Sequence, residues 1–154
     1  MMIASKTLLG GLMLVALGLG AGVASAKTCD VSIEGNDAMK FNLDRIALAA
    51  DCTEVQLTLK HTGKLPAAAM GHNWVLTETS AFQPVATAGT AAGAAAGYLP
   101  KDDARVIAST KLIGGGESTS VRFPTSKLKK GGDYTFFCSF PGHWTVMKGK
   151  LTFG

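Results

Sequence analysis

The stretch Tyr134-Thr-Phe-Phe-Cys138-Ser-Phe-Pro-Gly-His143-Trp-Thr-Val-Met147-Lys-Gly-Lys150 constrains this chain more than any other. A thiol, an imidazole and a thioether follow one another at C-x4-H-x3-M spacing. The apolar run before Cys138 reads as a strand, and Pro141-Gly142 favours a tight turn after it. Cys138 then sits where one strand ends and Met147 where the next begins, so one short loop can turn three side chains toward one point. Two sulfur donors with a nitrogen donor suit a soft metal, copper and especially Cu(I), better than hard cations. A trigonal site needs a second imidazole, and the chain has 3 histidines. His72, in Met70-Gly-His-Asn-Trp74, is the expected partner. It comes from a separate strand far upstream, so the site can form only if the whole domain folds.

Residues 1–26 read as a secretory signal peptide: Lys6 is the positive n-region, Leu8 to Leu19 a mostly apolar run, and Ala24-Ser-Ala26 a small-residue cleavage signal. The expected working domain is 27–154, one unit large enough for a real core. With Lys6 removed, 14 basic side chains face 11 acidic ones, a net charge of +3. That mild excess hints at acidic partner surfaces. It does not suggest nucleic acid, because no basic stripe with stacking aromatics is present. Lys127, Lys129, Lys130, Lys148 and Lys150 read as a solvated face.

Export permits disulfides, and 3 cysteines leave one thiol over. Cys29 and Cys52 lie away from the metal-like motif and are expected to pair, stabilising the fold by roughly 3–4 kcal/mol in the chain-entropy account. Cys138 is then the free thiol.

The rest of 27–154 reads mainly as β. Val31 and Ile33 lead into a turn at Glu34-Gly-Asn-Asp37. Val55, Leu57 and Leu59 alternate with Gln56, Thr58 and Lys60, which predicts a half-buried strand. Further strands are expected over His72 to Thr77, Arg105 to Ser109, Ser120 to Phe123, Tyr134 to Cys138 and Val146 to Phe153. Many short strands separated by glycine-rich turns argue for a β-sandwich or barrel. Ala-rich Ser80 to Gly97 departs from this. A short helix is expected over about Ser80 to Ala88, with a looser Ala/Gly segment after it.

Taken singly, each candidate ligand has a plainer reading: Met147 as core, His72 as a buried structural histidine, Cys138 as an inert buried thiol. His61 is read as a structural histidine at a strand end. Together Cys138, His143, Met147 and His72 point to one copper ion whose task is to pass a single electron. Cu(I) and Cu(II) prefer different coordination, so a site with little freedom to rearrange changes oxidation state at low reorganisation cost. Asn73 and Ser139, each beside a ligand, are candidates to orient the ligands. Phe136, Phe137 and Phe140 would keep water away.

At these residues the chain resembles the azurin branch of the cupredoxins. The resemblance rests on Glu34-Gly-Asn-Asp37, Met70-Gly-His-Asn-Trp-Val-Leu76, Arg105-Val-Ile-Ala108, Thr110-Lys-Leu-Ile-Gly114 and Phe136-Phe-Cys-Ser-Phe-Pro-Gly-His143. It implies an all-β, eight-stranded Greek-key β-sandwich with a short helical flap. It also implies equatorial ligands His72, Cys138 and His143, a weak axial Met147, and the Gly71 carbonyl opposite. Cys29–Cys52 matches the family disulfide. Electrons would pass through the exposed edge of His143, ringed by an apolar docking patch of Met39, Leu65, Ala69, Met70, Ala91, Phe140 and Gly142. The implied setting is a periplasmic monomer with no membrane partner. It would serve c-type cytochromes or periplasmic reductases and dehydrogenases, and would not itself be an enzyme. Thr90 makes the patch more polar than is usual in the family. Trp144 stands where small residues are common, so it packs over the loop, enlarges the docking surface, or alters the electron route and potential at His143.

A copper carrier or storage protein would use similar ligands, but in open, exchangeable Cys or Met clusters. A thiol enzyme using Cys138 and His143 would need a third residue to orient the imidazole. A copper oxidase would need a second metal site. Zinc could occupy the same ligands, though it could carry no electron.

Overall fold

The computed structural model describes residues 26–154; residues 1–25, and with them nearly all of the expected signal peptide, lie outside the described residues. Among the described residues, nine strand segments form two sheets. One runs in the order β2 (Lys40–Phe41), β1 (Thr28–Asn36), β4 (Glu54–His61), β7 (Ser118–Pro124). The other runs β3 (Arg45–Leu48), β9 (Lys148–Phe153), β8 (Tyr134–Phe137), β5 (Val75–Glu78), β6 (Ala108–Ser109). β1 pairs parallel with β4 and β3 parallel with β9, while the other ladders are antiparallel. This is the expected cupredoxin sandwich. Its ninth segment arises because the chain over 40–48 pairs first with one sheet and then with the other. A strand that bends across a sandwich in this way is counted twice.

The alternation that predicts β4 is what buries it. Val55, Leu57 and Leu59 are fully buried, and Gln56 and Thr58 are half-buried on the opposite face. They meet Ile33, Trp74, Phe123, Phe136 and Leu151 in one core between the sheets. β8 has no alternation, and all four of its residues are buried. Tyr134 and Phe136 face the main core, while Phe137 joins Val75, Val85 and Ala86 in a smaller core outside the sheet. A strand covered on both faces has no need of polar positions.

The cover over that smaller core is α2 (Phe82–Ala92), entered through a 3-10 turn at Thr79–Ala81. The helix starts two residues later and ends four residues later than expected. Pro84 falls in its first turn, where the missing N–H costs nothing. Gly89 does not break the helix, because a Cβ there would lie 2.2 Å from the Tyr98 carbonyl oxygen. Close approach to the Tyr98–Leu99 backbone needs a glycine.

Three elements escaped sequence reading: β2, β3 and the short α1 (Ala67–Met70). Of the expected strands, Tyr134 to Cys138 ends one residue early and Val146 to Phe153 starts two residues late, and two others depart further. Only Ala108–Ser109 of the 105–109 stretch forms a ladder, because Asp103 accepts the Arg105 N–H at 3.0 Å and turns the chain. Of His72–Thr77, only the part from Val75 onward joins the sheet; His72 instead forms an isolated bridge with Ile113. The Cys29–Cys52 disulfide is present, and Cys138 is the free, buried cysteine.

Candidate metal centre

The loop that closes the β8–β9 hairpin is held at its base. The Cys138 N–H donates to the Met147 carbonyl at 3.0 Å, and the Met147 N–H to the His143 carbonyl at 2.7 Å. Gly142 takes φ 81°, a left-handed conformation that suits glycine, and opens the 3-10 turn His143–Thr145. The loop therefore folds back on itself and presents Cys138, His143 and Met147, all essentially buried, to one side.

His72 meets them from the other side of the site. Cys138 Sγ lies 3.8 Å from His72 Nδ1 and 3.6 Å from His143 Nδ1. These three atoms all lie within 4.8 Å of one another, and the three residues are buried. Metal bonds of about 2.0 Å to nitrogen and 2.3 Å to sulfur, opened to a trigonal angle, put N and S about 3.7 Å apart. The observed separations bracket that value, so the cluster fits one ion held between three donors. The Gly71 carbonyl oxygen also faces Sγ at 3.8 Å. Met147 is fully buried in the same core cluster as Cys138.

The two imidazoles are held differently. His72 Nε2 donates to the Asn36 carbonyl at 2.8 Å. A carbonyl can only accept, so the proton sits on Nε2 and the Nδ1 lone pair faces the sulfur. His61, fully buried, stacks on His72 with centroids 4.2 Å apart and planes at 15°. His61 Nε2 donates to the Met70 carbonyl at 2.8 Å, and its Nδ1 accepts the Gly63 N–H at 3.1 Å. With both nitrogens engaged by backbone, His61 is the structural histidine expected. His143 lies under Phe140, ring centroids 4.5 Å apart. Its Nε2 makes no side-chain hydrogen bond and is not a buried orphan, so that edge meets solvent.

Asn73 joins the two sides. Its side-chain amide donates to Ser139 Oγ at 2.7 Å, and its carbonyl oxygen accepts the Ser139 N–H at 2.8 Å. Both residues are fully buried. Gly35, which no sequence argument singled out, fits beneath: a Cβ there would stand 2.8 Å from His72 Cδ2 and 3.4 Å from Met147 Cε. The only sequence signal for it was its place in Glu34-Gly-Asn-Asp37.

Burial pushes the Cys138 thiol up to about 12, opposed by backbone hydrogen bonds from Asn73 and Phe140 that favour the thiolate. Burial likewise lowers His143 to about 4, assisted by its neighbours His72 and His61, and lowers His72. Near neutral pH, without a metal, these groups are a thiol and two neutral imidazoles. A cation binding them must displace the thiol proton.

The expected docking residues are only partly exposed. Met39 and Leu65 are exposed large apolar side chains, and Ala69, Ala91 and Gly142 are exposed; Met70 and Phe140 are half-buried. Val146, between His143 and Met147 in the ligand loop, is 62 % exposed. Thr90 adds less polarity than its type suggests, because its hydroxyl donates to the Ala86 carbonyl at 3.1 Å. Trp144 is half-buried and packs edge-on against Phe82.

Residues 27–154 match the family described as copper binding proteins, plastocyanin/azurin family. The chain is 57% identical over 126 residues to azurin of Alcaligenes faecalis, covering 82% of this chain and 98% of that protein. It is 51% identical over 146 residues to azurin of Bordetella pertussis (95% and 96%) and 52% identical over 127 residues to azurin of Pseudomonas aeruginosa (82% and 86%). A soft-donor cluster built for one ion, on a two-sheet sandwich, thus coincides with a match over the whole described domain, and the chain belongs to the plastocyanin/azurin family of copper-binding proteins.

Proposed function

We propose that this protein is a blue copper electron carrier in which His72, Cys138 and His143 hold one copper ion, with Met147 and the Gly71 carbonyl as weak axial groups. The observation that carries the reading is the buried Nδ1–Sγ–Nδ1 triangle with edges of 3.6 and 3.8 Å. Copper supplies the one-electron couple, and the protein supplies a cage that does not rearrange. His72 is fixed by Asn36 and His61, Cys138 by the Asn73–Ser139 pair, and the loop by its own backbone bonds. The solvent-facing edge of His143 is the route for the electron, and the exposed Met39 and Leu65 belong to the docking patch around it. Redox proteins are the partners; c-type cytochromes and periplasmic reductases or dehydrogenases fit this role. The leader-like residues 1–26 support export to the periplasm and a mature domain of 27–154. The protein acts as a carrier and not as an enzyme. A copper carrier or storage role is disfavoured, because the donors are buried and individually tethered.

The test is a copper titration of the 27–154 domain, followed by visible absorption and electron paramagnetic resonance with and without ascorbate. The expected result is an intense blue band with narrow copper hyperfine splitting that bleaches reversibly on reduction. Pale, ordinary copper binding would remove Cys138 from the ligand set.

A further inference from the structure

Each ligand of the β8–β9 loop has a chain neighbour that touches one residue of the helical flap. Phe137, before Cys138, meets Phe82 edge-on with ring centroids 4.9 Å apart. Trp144, after His143, meets the same ring edge-on at 6.1 Å. The Lys148 ammonium, after Met147, stands over it at 5.4 Å. Phe82 opens α2, and the helix packs on the outer face of the sheet through Val85 and Ala86. Phe82 belongs to this outer cluster, whereas Cys138 and Met147 belong to the main core between the sheets.

We propose that Phe82 is a positioning residue for the metal centre: one ring, anchored on the helix, that fixes the β8–β9 loop through Phe137, Trp144 and Lys148 at the same time. On its inner side the loop is tied by Asn73 and by its own backbone bonds. On its outer side Phe137 also packs on Val75, Val85 and Ala86, while Phe82 is the ring that Trp144 and Lys148 share with it. Three contacts that converge on one ring restrict loop opening more than three separate ones, because any movement of the loop must break or slide all of them. The ring quadrupole also suits this set. Its edge and faces can serve the two aromatic contacts and the cation together. The half-buried Trp144 thereby gains a role as one arm of the clamp. The inference rests on the copper reading for its holoprotein consequences only; the loop restraint exists with or without metal.

Four variants separate positioning from simple packing: Phe82→Ala, Phe82→Leu, Phe82→Tyr and, as a stability control in the opposite sheet, Val121→Ala. Two readouts use the metal-free protein: the alkylation rate of Cys138 by iodoacetamide, and amide hydrogen exchange over 143–148. Two use the copper-loaded protein: copper hyperfine splitting, and the rate of copper loss to a chelator. Phe82→Ala should speed Cys138 alkylation and loop exchange several-fold and speed copper loss about tenfold, the low end for residues that orient ligands. Phe82→Leu, which keeps apolar bulk but not the ring, should fall between. Phe82→Tyr should restore every readout. Val121→Ala should lower the melting temperature without moving them. If Phe82→Ala lowers stability like the control and leaves thiol reactivity and loop exchange unchanged, the positioning role is refuted. A wild-type protein with no blue band would overturn the copper reading instead, and the metal-free measurements would still decide the clamp.

Discussion

The two sides of the metal centre are built on different principles. Cys138, His143 and Met147 share one short loop, and that loop is closed by its own backbone through the 3.0 Å bond from Cys138 N and the 2.7 Å bond from Met147 N. His72 stands on an isolated bridge with Ile113, outside any ladder. It is held by a carbonyl from β1, by a stacked histidine from β4, and by a bare glycine beneath it. The loop side is local and the His72 side is wholly tertiary. A site divided in this way forms when the domain folds, with its donors held from two sides.

The most drastic way to break the loop side is Cys138→Ser, which should abolish the blue band entirely while leaving the fold intact; absorption of the copper-titrated variant checks this. Asn73→Ala attacks the seam between the two sides. It strips the partners from the buried Ser139 N–H and hydroxyl, and should cost about 2–4 kcal/mol, measured as a urea midpoint shift of the metal-free protein. Gly35→Ala strikes the His72 side alone. Its methyl group must push against the His72 ring, 2.8 Å away, while meeting Met147 only at ordinary contact distance, costing about 1–3 kcal/mol and weakening copper affinity. An unchanged affinity would show that the tertiary side yields more easily than its packing implies.

Removing copper sharpens the comparison through pH. In the metal-free fold His143 titrates at about 4 and His72 is also lowered, burial being the main cause in each. In the unfolded chain both titrate at about 6.5. Between those values the unfolded chain binds more protons than the fold, so stability rises with pH there. It is present in full above about pH 6.5 and is lost as pH falls toward about 4. Chemical denaturation of the copper-free protein at pH 4.5 and 7.5 should show the lower stability at the acid end. The smallest effect is expected for Met147→Leu, which should retain copper and raise the reduction potential, because a weak donor to Cu(II) is replaced by an apolar group. Voltammetry decides it, and a lower potential would contradict the axial role.

Legibility followed the same division. The C-x4-H-x3-M run could be read because its geometry is local: a strand end, a Pro-Gly turn and a strand start define where three side chains point. The alternating β4 was legible for the same reason. β2, β3 and α1 were not, because two to four residues carry too little periodicity to register. The helix was placed roughly and its end misjudged, since Gly89 reads as a breaker until the Tyr98 carbonyl is seen 2.2 Å from where a Cβ would stand. For Trp144 the sequence left docking surface and packing over the loop both open, and its edge-on contact with Phe82 is visible only in the structure.

From the amino-acid order alone came the donor types, their loop spacing, the lone thiol left by a Cys29–Cys52 pair and the β character of the chain. Each of these depends on residue chemistry or on contacts a few positions apart. The tertiary structure alone decided that His72 lies 3.8 Å from Cys138, that Asn36, His61 and Gly35 hold it there, and that Phe82 touches three neighbours of the ligand loop. Those contacts join residues from separate strands, and their distances depend on how the sheets and the helix pack.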